Sequence, residues 1–374
     1  MWYNDLRPDW QLLPNKYSLV FYEEALRMSE ADKKRTLQNL IALKDGLATQ
    51  VPKKEMDRNI LLASWNVKEF GHLGERLPEA YFYIAEIINA FDIVAIQEIK
   101  RSLYDLDLVM KILGSHWSYI ITDITEGSSG NKERFGYIFD TRRVQHSGLS
   151  GELVIPEEFV DPLQNIFQLK RTPSITGFET GWKKFSTVGL HLHPGNDSED
   201  KALRKEELRL LLEVYKEKVS KKHLWNENLI LLGDTNLYND NHDIVSLITE
   251  EGFKECESLI GVPTNTSQTE CYDRIFMKTD AYFKLRKNVY DKDSGGVFPL
   301  YDYVFTDIAR AEYHEMMLAH KNDPSTLTDD QAFDSYFHRY WKRNQVSDHL
   351  PVWIEIEEDS SRDFLQSKHD QIQL

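Results

Sequence analysis

Asn59-Ile60-Leu61-Leu62-Ala63-Ser64-Trp65-Asn66-Val67 is a short apolar run that stops on an amide. A strand buried on both faces reads this way, whereas a half-solvated strand alternates apolar and polar residues. Further on, Phe91-Asp92-Ile93-Val94-Ala95-Ile96-Gln97-Glu98 repeats the pattern and ends on a carboxylate. Between the two runs, Pro78 to Ala90 places Ile84, Ile87 and Ile88 at helical spacing. Working outward, Tyr119–Asp123, Phe135–Asp140, Gly181–Leu192, Leu229–Asp234, Tyr272–Met277 and Val352–Ile356 read as further strands. Leu103–Leu113 and residues 243–252 read as helices. Asp200–Ser220 reads as a long charged helix with Leu203, Leu208, Leu211, Leu212 and Val219 on its inner side. Several strands run consecutively, so an α+β, sheet-on-sheet core with outer helices fits better than a singly wound parallel sheet.

The ends of the chain have another texture. Residues 1–57 are polar and read as a helical extension. Ser29-Glu30-Ala31-Asp32 is a capping-box pattern, followed by Leu37, Leu40, Ile41 and Leu47 at helical spacing. Tyr17–Met28 reads as a second helix, which predicts an antiparallel pair packed on the main domain. A dimer contact or a partner-binding surface is the alternative use of that pair. The main domain is expected over 58–358, with an aromatic-rich, partly helical segment at roughly 290–345 and a polar, frayed tail over 359–374.

Composition excludes several classes. Of the 374 residues 41% are hydrophobic and 12% aromatic, enough for a large core, so wholesale disorder is out. The net charge of −16 argues against loose electrostatic binding to nucleic acid or to an anionic membrane. A phosphodiester substrate then needs metal ions and a local basic patch. Cys256 and Cys271 are too few for a disulfide framework and lack zinc-site spacing. With no basic start and apolar run at Met1–Pro8, and no long apolar stretch, the expectation is a cytoplasmic protein without membrane contact.

Four strand ends carry hard-oxygen or imidazole groups: Asn66, Glu98, Asp234 with Asn236, and Asp348 with His349 just before the last strand. Any one of them is an ordinary turn residue. Together they offer the oxygen ligands that Mg2+ and Mn2+ prefer. His191, after Val188-Gly189-Leu190, joins His349 as a second imidazole. Phosphodiester hydrolysis needs a base for water and an acid for the leaving oxygen, and histidine suits both. Each imidazole wants a carboxylate on its other nitrogen, but spacing does not name the partners.

Ser64-Trp65-Asn66-Val67, Ile96-Gln97-Glu98, Gly233-Asp234-Thr235-Asn236 and Ser347-Asp348-His349-Leu350-Pro351 resemble, in this order, the motifs of the endonuclease/exonuclease/phosphatase superfamily. Lys132-Glu133-Arg134-Phe135, Leu190-His191 before Pro194, and Tyr272-Asp273-Arg274-Ile275 resemble the deoxyribonuclease I branch. The resemblance implies a four-layer α/β/β/α sandwich and a nuclease that leaves 5′-phosphate ends. It pairs Glu133 with His191 and Asp273 with His349 as catalytic dyads, with Asp234 and Asn236 orienting phosphate and water. It puts Mg2+ or Mn2+ on Asn66, Glu98 and Asp348, with Ca2+ as a candidate structural ion. Lys100, Arg101 and Arg134 would bind substrate, and Lys68, Arg142 and Arg143 would extend a positive rim.

The sequence also departs from that branch. Asn131 stands where the branch has a groove-contacting tyrosine, and Lys100 where it has an arginine. Lysine keeps the charge and loses the planar fork, which counts against duplex minor-groove preference. Tyr336–Trp341 is either a base-stacking surface or a packed helix face. The expected partner is DNA, with the N-terminal helices as a candidate protein contact. The competing functions are hydrolysis of a smaller phosphorylated substrate and a non-catalytic binding module. Intact polar positions argue against the latter.

Overall fold

The computed structural model describes residues 1–11, 19–21, 23, 26–71, 76–125, 132–160, 168–220 and 228–372. The elements in chain order begin with α1 (Glu30–Gln50), β1 (Asn59–Phe70), α2 (Pro78–Asn89), β2 (Ile93–Ile99), α3 (Tyr104–Leu113), β3 (Trp117–Ile121) and β4 (Arg134–Asp140). They continue with β5 (Gln145–Glu152), β6 (Ser174–Thr180), β7 (Lys183–His191), α4 (Ser198–Ser220), β8 (Leu229–Asp234), α5 (His242–Glu250), β9 (Lys254–Glu255) and β10 (Asp273–Lys278). The last are β11 (Gly295–Val297), α6 (His314–His320), α7 (Asp330–Tyr336), a π-helical turn at Phe337–Trp341, α8 (Lys342–Gln345), β12 (Val352–Glu357) and α9 (Ser361–Gln371).

The strands form two six-stranded sheets, ordered β11-β12-β1-β2-β4-β3 and β5-β6-β7-β8-β10-β9. The β1–β2 and β7–β8 pairs are parallel and the other pairs are antiparallel. The apolar run of β1 is now explained by its two faces. Ile60 and Leu62 turn toward the second sheet, where they share a core with Phe178, Phe185, Ile230 and Leu232. Leu61, Ala63, Trp65 and Val67 turn outward onto a core shared with α1, α2 and α3. On the far side, Leu229 and Leu231 of β8 pack with Leu208, Leu211 and Leu212 of α4 and Ile244 and Ile248 of α5. Helix, sheet, sheet, helix is the expected four-layer sandwich.

α1 begins where the capping box places it: Ser29 Oγ accepts from Asp32 N, and Asp32 accepts from Ser29 N. Leu40, Leu43 and Leu47 are buried, while Leu37 and Ile41 face out. The paired second helix is not seen among the described residues. Residues 17, 18, 22, 24 and 25 of that stretch lie outside the described residues, and its described remainder carries no α-helix. There the Asp5 carboxylate instead accepts the Val20 and Phe21 amides at 2.8 and 2.7 Å. The inner-side placement of Val219 also lies outside the described side chains.

Three other expectations need correction or completion. β5 and β6 escaped notice because β5, an edge strand, reads Gln-His-Ser-Gly-Leu-Ser-Gly-Glu with little apolar content. The tail is not frayed over its described length: α9 docks Phe364 edge-on against Trp182 and Tyr282. In the Tyr336–Trp341 segment Phe337 and Trp341 are core, buried beside Phe305 and Tyr313, while Tyr340 is exposed and stacks on Tyr336. Cys256 and Cys271 are both buried free thiols. No described helix is long and apolar enough to cross a membrane.

Candidate active site

The site lies where the ends of the two sheets meet. In the second sheet, His191 pairs in register with Asp234 across β7–β8, and Asp234 with Asp273 across β8–β10. Three adjacent strands therefore bring these side chains into one row. Gly233 makes this closeness work: its φ is +135°, and an added Cβ would lie 2.1 Å from the Leu190 carbonyl oxygen. In the first sheet, Asn66 pairs with Gln97 before the β1–β2 register shifts. Glu98 sits in that irregularity with φ +61°, and Asn236 in the second sheet has φ +48°. Non-glycine residues in the left-handed region concentrate at sites that the surroundings over-determine.

Two imidazole–carboxylate pairs face one aspartate. His349 Nδ1 lies 2.8 Å from Asp273 Oδ2, which also accepts the Thr264 hydroxyl at 2.8 Å. His191 Nδ1 lies 3.2 Å from Glu133 Oε2. The Nε2 atoms of His191 and His349 lie 3.5 and 3.7 Å from the same oxygen, Asp234 Oδ2. Asp234 Oδ1 accepts from the Asn236 amide at 3.0 Å, and the Asn236 side chain donates to the Leu192 carbonyl. Asp234, Asp273 and His349 also form the one His/Cys/Asp/Glu group of metal-binding compactness among the described residues. Within it, Nδ1 of His349 is hydrogen-bonded to Asp273, so that nitrogen is not open to an ion.

Electrostatics distinguishes the two pairs. Burial works against a charged His349, yet the carboxylates of Asp273 and Asp234 hold its pKa well above the ordinary value. Burial would raise Glu133, but the His191 hydrogen bond and the charges of His191, Arg171 and Lys100 bring it down to about 2. Lys100 Nζ and Arg171 Nε lie 3.0 and 3.2 Å from the two Glu133 oxygens. Arg171 and Thr264 were missed by sequence reasoning. Neither sits in a motif, and only the folded chain puts them beside Glu133 and Asp273.

Asn66 reaches across the cleft. Its Nδ2 donates to Glu98 Oε1 at 3.2 Å and to Asp234 Oδ2 at 3.1 Å. Its Oδ1 is buried without a hydrogen-bond partner. The other Glu98 oxygen accepts the Glu69 amide at 2.9 Å. A buried unpaired amide oxygen beside a carboxylate suits a hard cation. Asp348 stands apart from this pair in its contacts, 3.7 Å from Lys68 Nζ. Ser347 ties it in: its hydroxyl donates to the Asn66 carbonyl at 2.6 Å and accepts the His349 amide.

The basic rim is thinner than expected. Arg134 spends its guanidinium on the Lys100 and Arg101 carbonyls, and Lys100 reaches Glu133. Arg101 is exposed. Arg142 and Arg143 do not belong to the site. They follow the far end of β4 and pair there with Asp140 and Asp92. Asn131 lies outside the described residues.

The chain is similar in sequence and in fold to known proteins. No protein-family model matches the chain. Deoxyribonuclease-1 of Canis lupus familiaris is 26% identical over 230 residues, covering 57% of this chain and 75% of that protein. Deoxyribonuclease gamma of Homo sapiens is 25% identical over 330 residues, covering 82% and 88%. A solved endonuclease/exonuclease/phosphatase family protein from Bacteroides thetaiotaomicron superposes with a TM-score of 0.49 at 17% identity, covering 80% of this chain and 98% of that one. The four-layer fold, the ordered motifs and the sequence relatives support the resemblance to the endonuclease/exonuclease/phosphatase superfamily. The relatives it resembles are deoxyribonucleases.

Proposed function

We propose that the protein is a metal-dependent DNA endonuclease leaving 5′-phosphate ends. The observation that carries this reading is the convergence of the His191 and His349 Nε2 atoms on Asp234 Oδ2, at 3.5 and 3.7 Å. A base and an acid are thereby poised on one small volume, each with a carboxylate on its Nδ1 fixing the tautomer. Glu133 orients His191 and Asp273 orients His349. One imidazole takes the proton of the attacking water and the other gives a proton to the leaving oxygen. Asp234, braced by Asn66 and Asn236, sets the direction of the water and the phosphate.

This volume is anionic, with Glu98, Asp234 and Asp273 converging on it, so a phosphodiester approaching it unaided is repelled. Asn66 and Glu98 would hold Mg2+ or Mn2+, with Asp348 as a further oxygen. The buried, unpartnered Asn66 Oδ1 supports that assignment. When bound, the ion neutralises a non-bridging phosphate oxygen and the charge that grows in the transition state. Lys100 and Arg101 lie on the substrate side in this reading, while Arg134 shapes the loop that carries them.

The second reading is a smaller phosphorylated substrate. It is favoured by the thin rim: Arg134, Arg142 and Arg143 are all engaged internally. The test is a cleavage assay on supercoiled plasmid, linear duplex, single-stranded DNA, RNA and a nitrophenyl phosphodiester, in Mg2+, Mn2+ or EDTA, with Glu98→Ala as control. Metal-dependent nicking of plasmid that the control loses is the expected result. Turnover of the nitrophenyl ester alone would move the assignment to the small substrate. His191→Ala or His349→Ala should each lower turnover by ~10²-fold or more, the scale of lost acid–base catalysis.

A further inference from the structure

Just before α2, a fully buried arginine joins the two halves of the proposed ion and histidine site without belonging to any motif. Arg76 NH2 donates to the Lys68 carbonyl at 2.7 Å, and its Nε donates to the Gln345 carbonyl at 2.9 Å. Its NH1 is ion-paired with the Asp105 carboxylate of α3, and both side chains are fully excluded from solvent. Asp105 is anchored in turn by the Tyr81 hydroxyl at 2.9 Å. The next residue repeats the link: the Leu77 amide donates to Gln345 Oε1 at 2.7 Å.

The two carbonyls that Arg76 grips are informative. Lys68 follows Asn66 by two residues, at the irregular end of β1. Gln345 ends α8, a few residues ahead of Asp348 and His349. These segments lie eight and 269 residues from Arg76 in sequence, and the guanidinium bridges them alongside the Ser347–Asn66 hydrogen bond. A planar fork with several fixed donors is the side chain suited to hold two backbone carbonyls and a carboxylate at once, and lysine cannot do it. An arginine whose sole purpose was core stability would be an expensive choice, because a buried ion pair barely repays its desolvation.

We infer that Arg76 is a positioning residue: it sets the distance between the Asn66 end of β1 and the Asp348–His349 turn, and so the alignment of the proposed ion ligands with the His349 imidazole. The inference rests on the hydrolase reading of that cleft. It also gives α1 an indirect part, since Arg35 of α1 grips Glu79 at 3.0 Å in the first turn of the helix that Arg76 precedes.

Two variants of the full chain separate clamping from folding. Arg76→Lys keeps a cation for Asp105 and loses the fork. Asp105→Asn keeps the fork on both carbonyls and loses the ion pair. Melting temperature, kcat and KM are measured for both, with turnover read well below each melting point. Arg76→Lys is expected to lower kcat about 10-fold or more with KM changed little, the cost scale of a displacement near one ångström in a reacting site. Asp105→Asn is expected to lower the melting temperature at least as far and to hold kcat near wild type. A kcat that survives Arg76→Lys, or that falls in step with the melting temperature in both variants, overturns the inference. The histidine-ring 15N and Nδ1–H NMR signals of His349 supply a readout independent of turnover. They should move in Arg76→Lys and stay in Asp105→Asn. If the wild type hydrolyses nothing, the functional reading fails, and the NMR comparison still decides the positioning role.

Discussion

Asp273→Asn isolates the part played by a carboxylate that never touches solvent. Asp273 is buried, accepts the Thr264 hydroxyl and the His349 Nδ1 proton, and leaves the His349 Nε2 aimed at Asp234. Asparagine is nearly isosteric, so packing is retained. Its amide can donate where the carboxylate only accepted, which favours the His349 tautomer with the proton on Nε2. A base cannot then use that nitrogen, and an imidazolium there loses the negative charge 2.8 Å away. Loss of a correctly held tautomer in a comparable dyad costs ~10⁴ in turnover, and general acid–base catalysis as a whole is worth ~10²–10⁴. We therefore expect kcat to fall by ~10²–10⁴, about 3–5 kcal/mol of transition-state stabilisation. The assay is single-turnover cleavage of an end-labelled duplex in Mg2+, run on Asp273→Asn, His349→Ala and the double variant. Groups acting as one unit are non-additive, so the double variant should match the worse single variant. A turnover within about threefold of wild type for Asp273→Asn, or losses that multiply in the double variant, would refute the relay.

The remaining predictions concern the other pair, the backbone and the first helix. Glu133 sits near pKa 2 in the folded chain against an ordinary 4.5, so its ionised form adds stability that is fully present above 4.5 and is lost as pH falls through 2. Glu133→Gln should then melt lower at pH 7, by a deficit on the order of 3 kcal/mol at most, and that deficit should shrink as scans move below pH 4.5. Equal deficits at pH 7 and at low pH would contradict the assignment. Gly233→Ala combines a strained φ with a 2.1 Å approach to the Leu190 carbonyl, so β7 and β8 must part beside Asp234. A loss above ~3 kcal/mol or an insoluble product is expected, and a near-native melt would show that the strands yield easily. Ser29→Ala removes one side of the α1 capping box and should cost about 1 kcal/mol by denaturant titration.

How much of this was legible beforehand depends on whether the signal was local. β1, β2 and β8 announced themselves because a strand covered on both faces must be apolar throughout, and the polar residue that ends each run is the residue the cleft uses. The capping box at Ser29 was legible because it spans four consecutive residues. β5 and β6 were not, because strands of the outer part of a sheet owe their place to neighbours rather than to their own apolar content. The described part of Tyr17–Met28 departs from the expected helix for a similar cause: Asp5, distant in sequence, captures the Val20 and Phe21 amides that a helix would need. Arg142 and Arg143 were misplaced for a geometric reason. They follow a strand end, as Lys100 does, but β4 runs antiparallel to β2, so its C-terminal end lies away from the cleft.

That antiparallel pairing also explains how an acidic chain manages its charges around the cleft. β2 and β7 both end at the site, and β4 begins there. Lys100 and Arg171, beside the ends of β2 and β7, are thereby brought onto opposite oxygens of Glu133. They cancel a carboxylate that would otherwise repel a phosphate, while leaving the His191 Nε2 directed at Asp234. The positive charge near the site thus lies first on Glu133, and of the expected substrate-binding trio only Arg101 is exposed. If a long polyanion is the substrate, these side chains give it few phosphate contacts, so its affinity should fall only gently with added salt. A slope of log affinity against log salt near −1 or −2 fits so few phosphate contacts, whereas a slope steeper than about −5 would demand a basic surface beyond Lys100, Arg101 and Arg134.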